Sequence, residues 1–248
     1  MFTANTAFSA LAMSHYGHDG GNLAAPLWVS GIEWGGGISP VQLLADIRNG
    51  PREAPRSTVL QSERDKYAKY NFDRVWLKLL ARSLGHSVTD YRNMLSEEVG
   101  ALTATGPILK LNLYPISFKN TYAGNWSKEF YELTGFPTKE LYMAWVQTNR
   151  FKFFNDLVAK HRPKIIVCSG SSYKRDYLLA FGGIDSLFSE PKQKILLSTS
   201  KEVLIYPSSL ASQTEIYIVP FFGGIHGIKS DAECEELGTL LHRALGVG

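Results

Sequence analysis

Four short apolar runs in the sequence are each followed by residues able to do chemistry. Gly31-Ile32-Glu33-Trp34-Gly35-Gly36-Gly37 follows the first and Asn112-Leu113-Tyr114-Pro115 the second. Gly170-Ser171-Ser172 follows the third, and Pro220-Phe221-Phe222-Gly223-Gly224-Ile225-His226-Gly227 the fourth. A carboxylate such as Glu33 can take a proton and favour a neighbouring positive charge. Asn112 carries both a donor and an acceptor, the pair that reads a polar molecular edge. The segment Gly223–Ile228 combines glycines that let a phosphate come close, the imidazole of His226, and two apolar residues. Each has a plainer alternative: Glu33 as a cap or ion-pair partner, Asn112 as a turn former before Tyr-Pro, Trp34 as core, His226 as a surface residue.

The elements that must position these residues follow from the hydrophobic pattern. Pro26–Ser30 with Gly31, Pro107–Leu111, Lys164–Ser169 and Glu215–Val219 read as buried strands. Helical periodicity covers Asp73–Leu84, Val88–Val99, Lys128–Leu133, Lys139–Lys160, Ser172–Phe181 and Asp231–Leu245, the last with Ser230 or Asp231 as N-cap. Alternation of strands and helices predicts an α/β domain, a four-stranded, mainly parallel sheet covered on both faces in three α/β/α layers. Lys194–Ser198 and Glu202–Tyr206 read as a hairpin or edge addition, and Gly50–Ser62 as an exposed loop. In such a sheet, ligands bind beyond the C-terminal ends of the strands, which is where the four polar segments lie.

Composition narrows the classes. The 248 residues are 44% hydrophobic, enough for one large core, and we expect a single domain over 1–248. No apolar stretch approaches the roughly 20 residues of a membrane helix, and the N-terminus lacks a basic start and apolar core, so a cytoplasmic protein is expected. Cys168 and Cys234 are too far apart for a clustered thiolate site, so no metal is expected, and Cys168 reads as a core residue. The net charge is only +3, yet residues 110–175 hold 11 Lys or Arg against 4 Asp or Glu, an excess that suits a polyanion as well as it suits solvated helix faces. Neither a Gly-Lys-Ser/Thr phosphate loop nor a Gly-x-Ser-x-Gly elbow occurs.

The order and spacing of Gly31-Ile32-Glu33-Trp34-Gly35, Leu111-Asn112 with Pro115, and Val219-Pro220 resemble the three motifs of the uracil-DNA glycosylase superfamily. Lys164–Ala180 resembles its penultimate strand and helix. The resemblance runs from about residue 26 to 243, on short motifs. Trp34 replaces the usual Pro, Val219 stands where many members have His, and Phe221-Phe222 replaces Ser-Pro, so the likeness is to a divergent branch, such as members acting in phage defence on hypermodified DNA.

The resemblance implies a metal- and cofactor-independent monofunctional glycosylase that flips a pyrimidine out of DNA and hydrolyses its N-glycosidic bond. Glu33 would activate water and, with His226 near the leaving base, form the catalytic pair. Asn112 would read the pyrimidine edge, with Gly31, Trp34, Gly35, Tyr114, Pro220 and Phe221 around the base. A glycine at 35 leaves room where the uracil-specific branch has a Tyr. Gly223, Gly224, Ile225, Ile228, Lys229, Lys119, Ser171 and Lys174, with Arg175, would meet DNA, Ile225 or Ile228 filling the gap left by the extruded nucleotide. A monomer with DNA as partner is expected. The alternatives are a catalytically silent DNA- or nucleotide-binding member of the fold in a defence or repair assembly, and a hydrolase of free nucleosides.

Overall fold

Apolar, β-branched runs become strands here because both of their faces are covered. In the computed structural model, which describes residues 3–33, 35–58, 61–118 and 125–246, the strands are β1 (Gly20–Gly21), β2 (Leu27–Gly31), β3 (Ile108–Asn112), β4 (Ile165–Ser169), β5 (Gln193–Leu196), β6 (Glu202–Pro207) and β7 (Glu215–Val219). They form one sheet in the order β1-β3-β2-β4-β7-β6-β5. Its centre, β3-β2-β4-β7, is parallel and consists of the four runs that alternate with helices in the sequence.

Among the described residues the sheet has seven strands: the four expected parallel ones and three antiparallel additions, two of them the hairpin expected at 194–206. The hairpin β5–β6 extends it antiparallel from β7, and β1 pairs antiparallel with β3 at the other edge. β1 is two glycines at φ 143° and 111°, so no side-chain pattern announces it.

The helices are α1 (Thr6–Ala12), α2 (Pro40–Asn49), α3 (Gln61–Tyr67), α4 (Asn71–Ser83), α5 (Lys128–Thr134), α6 (Lys139–Thr148), α7 (Arg150–His161), α8 (Lys174–Tyr177) and α9 (Asp231–Leu245). α9 starts where expected because its signal is local: Ser230 accepts from the Glu233 N–H, and the Glu233 carboxylate accepts from the Ser230 N–H at 2.9 Å. The helix expected over Lys139–Lys160 is instead α6 and α7, broken at Asn149 (φ −111°, ψ −60°). Val88–Leu95 is a 3-10 helix, and the expected helix over Ser172–Phe181 is a 3-10 turn, α8 and a π-helical turn in succession. The expected loop Gly50–Ser62 holds up to Thr58, but Gln61 already begins α3.

Alternation along the strands builds a core on each side. Trp28, Leu109, Leu111, Ile166, Cys168 and Ile218 point to the layer containing α1, α5, α6 and α7. Leu27, Val29, Ile108, Val167, Tyr217 and Val219 point to α4 and α9. The odd members out are Lys110 and Asn112, which share the α4 side with Ile108 and are buried (5% and 3% exposed). Lys139 and Arg150 are buried as well, so these three cations of residues 110–175 belong to no solvated face. No helix among the described residues is long and apolar enough to cross a membrane.

Candidate functional site

β2 lies between β3 and β4, so the chain leaves it for one neighbour and later crosses to the other. At such a reversal the loops diverge and open a crevice beyond the strand ends. A cleft of about 690 Å³ lies there, lined from β2 by Ile32, Glu33, Gly35 and Gly36 and from β3 by Lys110, Asn112 and Phe118. Asp19, the segment Lys66–Asp73 around the start of α4, and Phe221 after β7 complete its walls. Glu33 and Asn112, far apart in sequence, therefore share one cavity.

Asn112 pairs with Gly31 in the sheet register. A Cβ on Gly31 would stand 2.5 Å from Asn112 Oδ1 and 3.3 Å from Phe72 Cζ, so the glycine is what gives the amide its place. Asn112 Nδ2 donates to the Gly17 carbonyl at 3.0 Å and to Asp19 Oδ2 at 3.1 Å. Both partners accept only at these atoms, which fixes the amide orientation. Asp19 in turn accepts from Lys110 Nζ at 2.7 Å, Lys110 pairs with Asp73 at 3.0 Å, and Asp73 accepts from Trp76 Nε1 at 2.7 Å. Burial works against the Lys110 charge, but Asp19 and Asp73 outweigh it and hold its pKa above the ordinary lysine value. The rings of Tyr67, Phe72 and Trp76 stand 5.4 to 5.9 Å from the ammonium.

The segment that supplies Gly17 and Asp19 is tied down from α7. The fully buried Arg150 donates to the carbonyls of Ala12, Ser14 (3.1 Å), Tyr16 (2.6 Å) and Leu113 (3.0 Å). Beside it His15 and His18 meet through their Nδ1 atoms at 3.1 Å, and burial pushes His15 down to about 4, so the imidazoles are neutral near pH 7.

Glu33 lines the same cleft. Burial pushes its carboxyl from 4.5 up to about 7, against the pull of Lys139 and of the hydrogen bond it accepts from the Phe118 N–H. Lys139 is itself buried, its ammonium 4.0 Å from the Phe118 ring centre and without a hydrogen-bond partner among the described residues. Its pKa is lowered by burial, with Glu33 and Glu140 opposing. Phe72, Phe118 and Phe221 make the aromatic surfaces of the cleft, with Phe72 and Phe221 5.6 Å apart. Arg56, Lys66 and the 65% exposed Tyr70 form its rim.

The remaining expected site residues divide. Gly35 lines the cleft, and a Cβ there would meet nothing within 4 Å. Phe221 lines it and is 46% exposed. Trp34 and Lys119 lie outside the described residues. Tyr114 does not line the cleft: it is 2% exposed, donates to Asp176 at 2.8 Å and accepts from Gln147, because its strand exit turns it into the α6–α7 core. Pro220 only leads the chain from β7 to Phe221 and is not part of the lining.

In the loop after β7, Gly223 comes so close to α4 that a Cβ would lie 2.7 Å from Asn71 Cβ. Ile228 is fully buried, bridged to Phe222 and part of the α4–α9 core, so it cannot enter a groove; Ile225, 83% exposed, stands out at the tip beside Gly224. His226 is exposed and not among the cleft-lining residues, so the imidazole expected at the leaving base is not there. Lys229 turns back to donate to the Ile225 carbonyl at 3.2 Å. Ser171 is exposed at the end of β4, while Lys174 and Arg175 border a separate depression with Leu187 and Phe188.

Asp19, Phe72, Asp73, Lys110, Phe118 and Lys139 are site residues that motif reading passed over. One signal was present: a lysine and an asparagine two apart in an otherwise apolar strand, hence on one buried face. Among the described residues no group of three or more His, Cys, Asp or Glu is placed to hold a metal ion. Comparison with known proteins finds no match to this chain among family models, curated proteins or solved structures.

Proposed function

We propose that the protein is a DNA glycosylase that extrudes a modified or damaged pyrimidine and hydrolyses its N-glycosidic bond with water, leaving an abasic site. The observation that carries this reading is the shared cleft: a carboxyl with its pKa near 7 and a hydrogen-bonding amide facing one aromatic-walled cavity beyond the ends of parallel strands. Breaking a glycosidic bond develops an oxocarbenium-like sugar and a negative leaving base. The C1′–N bond breaks and its electron pair leaves with the base, the charge of ionised Glu33 favouring the sugar cation; Glu33 then takes the proton of water as the water oxygen bonds C1′, and that proton passes to the departed base. Phe72, Phe118 and Phe221 offer ring faces to the base, and Arg56, Lys66 and Tyr70 stand where flanking phosphates and an unpaired neighbour would pass.

The substrate we favour is a cytosine with a bulky 5-substituent, such as the glucosylated hydroxymethylcytosine of phage DNA. The cleft falls within the roughly 300–1,000 Å³ of sites that hold drug-sized molecules, more than a bare base requires, and it stays open at Gly35 and Gly36. A second reading has a specific observation behind it. Among the described residues no imidazole lines the cleft to stabilise the leaving base, which suits a catalytically silent DNA- or nucleotide-binding protein of a defence or repair assembly. Incubation of the purified protein with duplexes carrying candidate bases separates the two. Alkali-labile sites that disappear with Glu33→Gln support the glycosylase, and salt-sensitive DNA binding with no site on any duplex supports the silent binder.

A further inference from the structure

Where α3 gives way to α4 the chain reads Lys66-Tyr67-Ala68-Lys69-Tyr70-Asn71-Phe72, cations interleaved with aromatic rings. The fold sorts them by side. Tyr67 and Phe72 turn in towards the Lys110 ammonium, 5.4 Å from each ring centre, whereas Lys66, Lys69 and Tyr70 are exposed. Neither Lys66 nor Lys69 has an ion-pair partner among the described residues, and the Tyr70 hydroxyl has no hydrogen-bond partner there. The backbone beneath the Tyr70 ring is fixed: it is the N-cap of α4, extended at φ −87° and ψ 140°, and its carbonyl accepts from the Arg74 N–H at 2.9 Å. A ring carried on a held backbone loses less freedom when a ligand covers it. Lys66 and Tyr70 also line the cleft, so this surface and the cavity are continuous. The loop after β7 adjoins it, because Gly223 packs on Asn71, the residue after Tyr70. Tyr70 (65% exposed) and Ile225 (83% exposed) are therefore carried on elements in contact.

We propose that the junction of α3 and α4 is a strand-gripping surface for DNA: the Tyr70 ring stacks on the base next to the nucleotide held in the cleft, and Lys66 and Lys69 hold that strand's phosphates. This deepens the glycosylase reading by naming the surface that holds its substrate, and it stands equally if the protein only binds DNA. Cations draw a polyanion, and every base has a face to stack, so the grip is indifferent to sequence. An acidic protein segment would satisfy the two ammonium groups but brings no row of flat rings for Tyr70. The grip is sequence-tolerant by construction, which leaves the choice of base to the cleft itself.

The test uses the full-length protein and a duplex carrying one 2′-fluoro-arabino cytidine, which resists cleavage, with binding titrated at several salt concentrations. Tyr70→Ala should weaken binding about 5- to 100-fold and leave the salt dependence as in the wild type, while Tyr70→Phe keeps the ring and should bind as the wild type does. Lys66→Met and Lys69→Met should each lower the slope of log affinity against log salt by about 0.7–0.9. Mere loss of stability would produce neither pattern. Tyr70→Ala binding as tightly as the wild type, or Tyr70→Phe binding as weakly as Tyr70→Ala, overturns the stacking role. Slopes unchanged in both lysine variants overturn the phosphate role, and a wild type that binds no duplex overturns the whole surface. Base release from cleavable duplexes is followed in parallel by mass spectrometry. If none is released while the binding effects hold, the glycosylase reading fails and the surface stands; if the wild type releases base and the variants bind unchanged, the surface fails and the glycosylase stands.

Discussion

Replacing Glu33 by glutamine should make the protein more stable and less active, and the two effects have one cause. The carboxyl moves from 4.5 when unfolded to about 7 in the fold, so the folded state prefers it protonated. A raised acid contributes stability that is complete below pH 4.5 and is lost as pH rises through 7. At 1.36 kcal/mol per tenfold change in proton affinity, the full loss by pH 8 is roughly 3 kcal/mol, with the attraction of Lys139 already included. Water entering the open cleft screens part of it, so about 1–3 kcal/mol is expected. Glutamine keeps the shape and never ionises; Glu33→Gln should therefore raise the melting temperature at pH 8 by between about 3 and 10 °C and leave it within about 1 °C at pH 4.5. Base release should fall at least ~10²-fold. Thermal denaturation of both proteins at the two pH values decides the matter. A shift of the same size at both, or a destabilised variant at pH 8, would refute the claim that the cleft holds a carboxyl whose ionisation is disfavoured by burial.

Other expectations follow from the same geometry. Single-turnover base release should rise with pH through about 7 as Glu33 ionises, and Lys139→Met, which removes the nearby ammonium, should move that midpoint to higher pH; a pH–rate profile of each protein checks both. Gly31→Ala inserts a methyl 2.5 Å from Asn112 Oδ1 and should cost about 1–3 kcal/mol of stability while weakening substrate binding more than turnover, seen as a KM effect. Ile225 and Ile228 should separate cleanly. Ile225→Ala should leave stability within about 0.5 kcal/mol but weaken DNA binding, whereas Ile228→Ala should cost about 2–5 kcal/mol in denaturant titrations.

What could be read from the sequence was what local pattern encodes. The parallel strands emerge to within a residue or so because Leu27–Gly31, Ile108–Asn112, Ile165–Ser169 and Glu215–Val219 are unbroken runs between polar segments, and α9 because Ser230 and Glu233 cap it three residues apart. β1 could not be read, since Gly20 and Gly21 owe their strand to pairing with β3 across almost ninety residues. The break between α6 and α7 was not read either: Arg150, which begins α7, is fully buried by bonds to carbonyls far from it in sequence. Within the site, Glu33 and Asn112 were legible as polar residues ending apolar strands. Lys110 was not, because its partners Asp19 and Asp73 lie far from it in sequence and only the fold brings the three together. The loop after β7 shows the limit most clearly: its composition suggested two equivalent isoleucines, and only the fold, which bridges Ile228 to Phe222 within the α4–α9 core, shows that Ile228 is the buried one.

The most direct test is a structure of the protein bound to a duplex with a single 2′-fluoro-arabino pyrimidine. The account predicts that this nucleotide leaves the helix, its base lying in the cleft beside Asn112 and its C1′ facing Glu33. A base still stacked in the duplex, or bound outside the cavity between β2, β3 and α4, would contradict it.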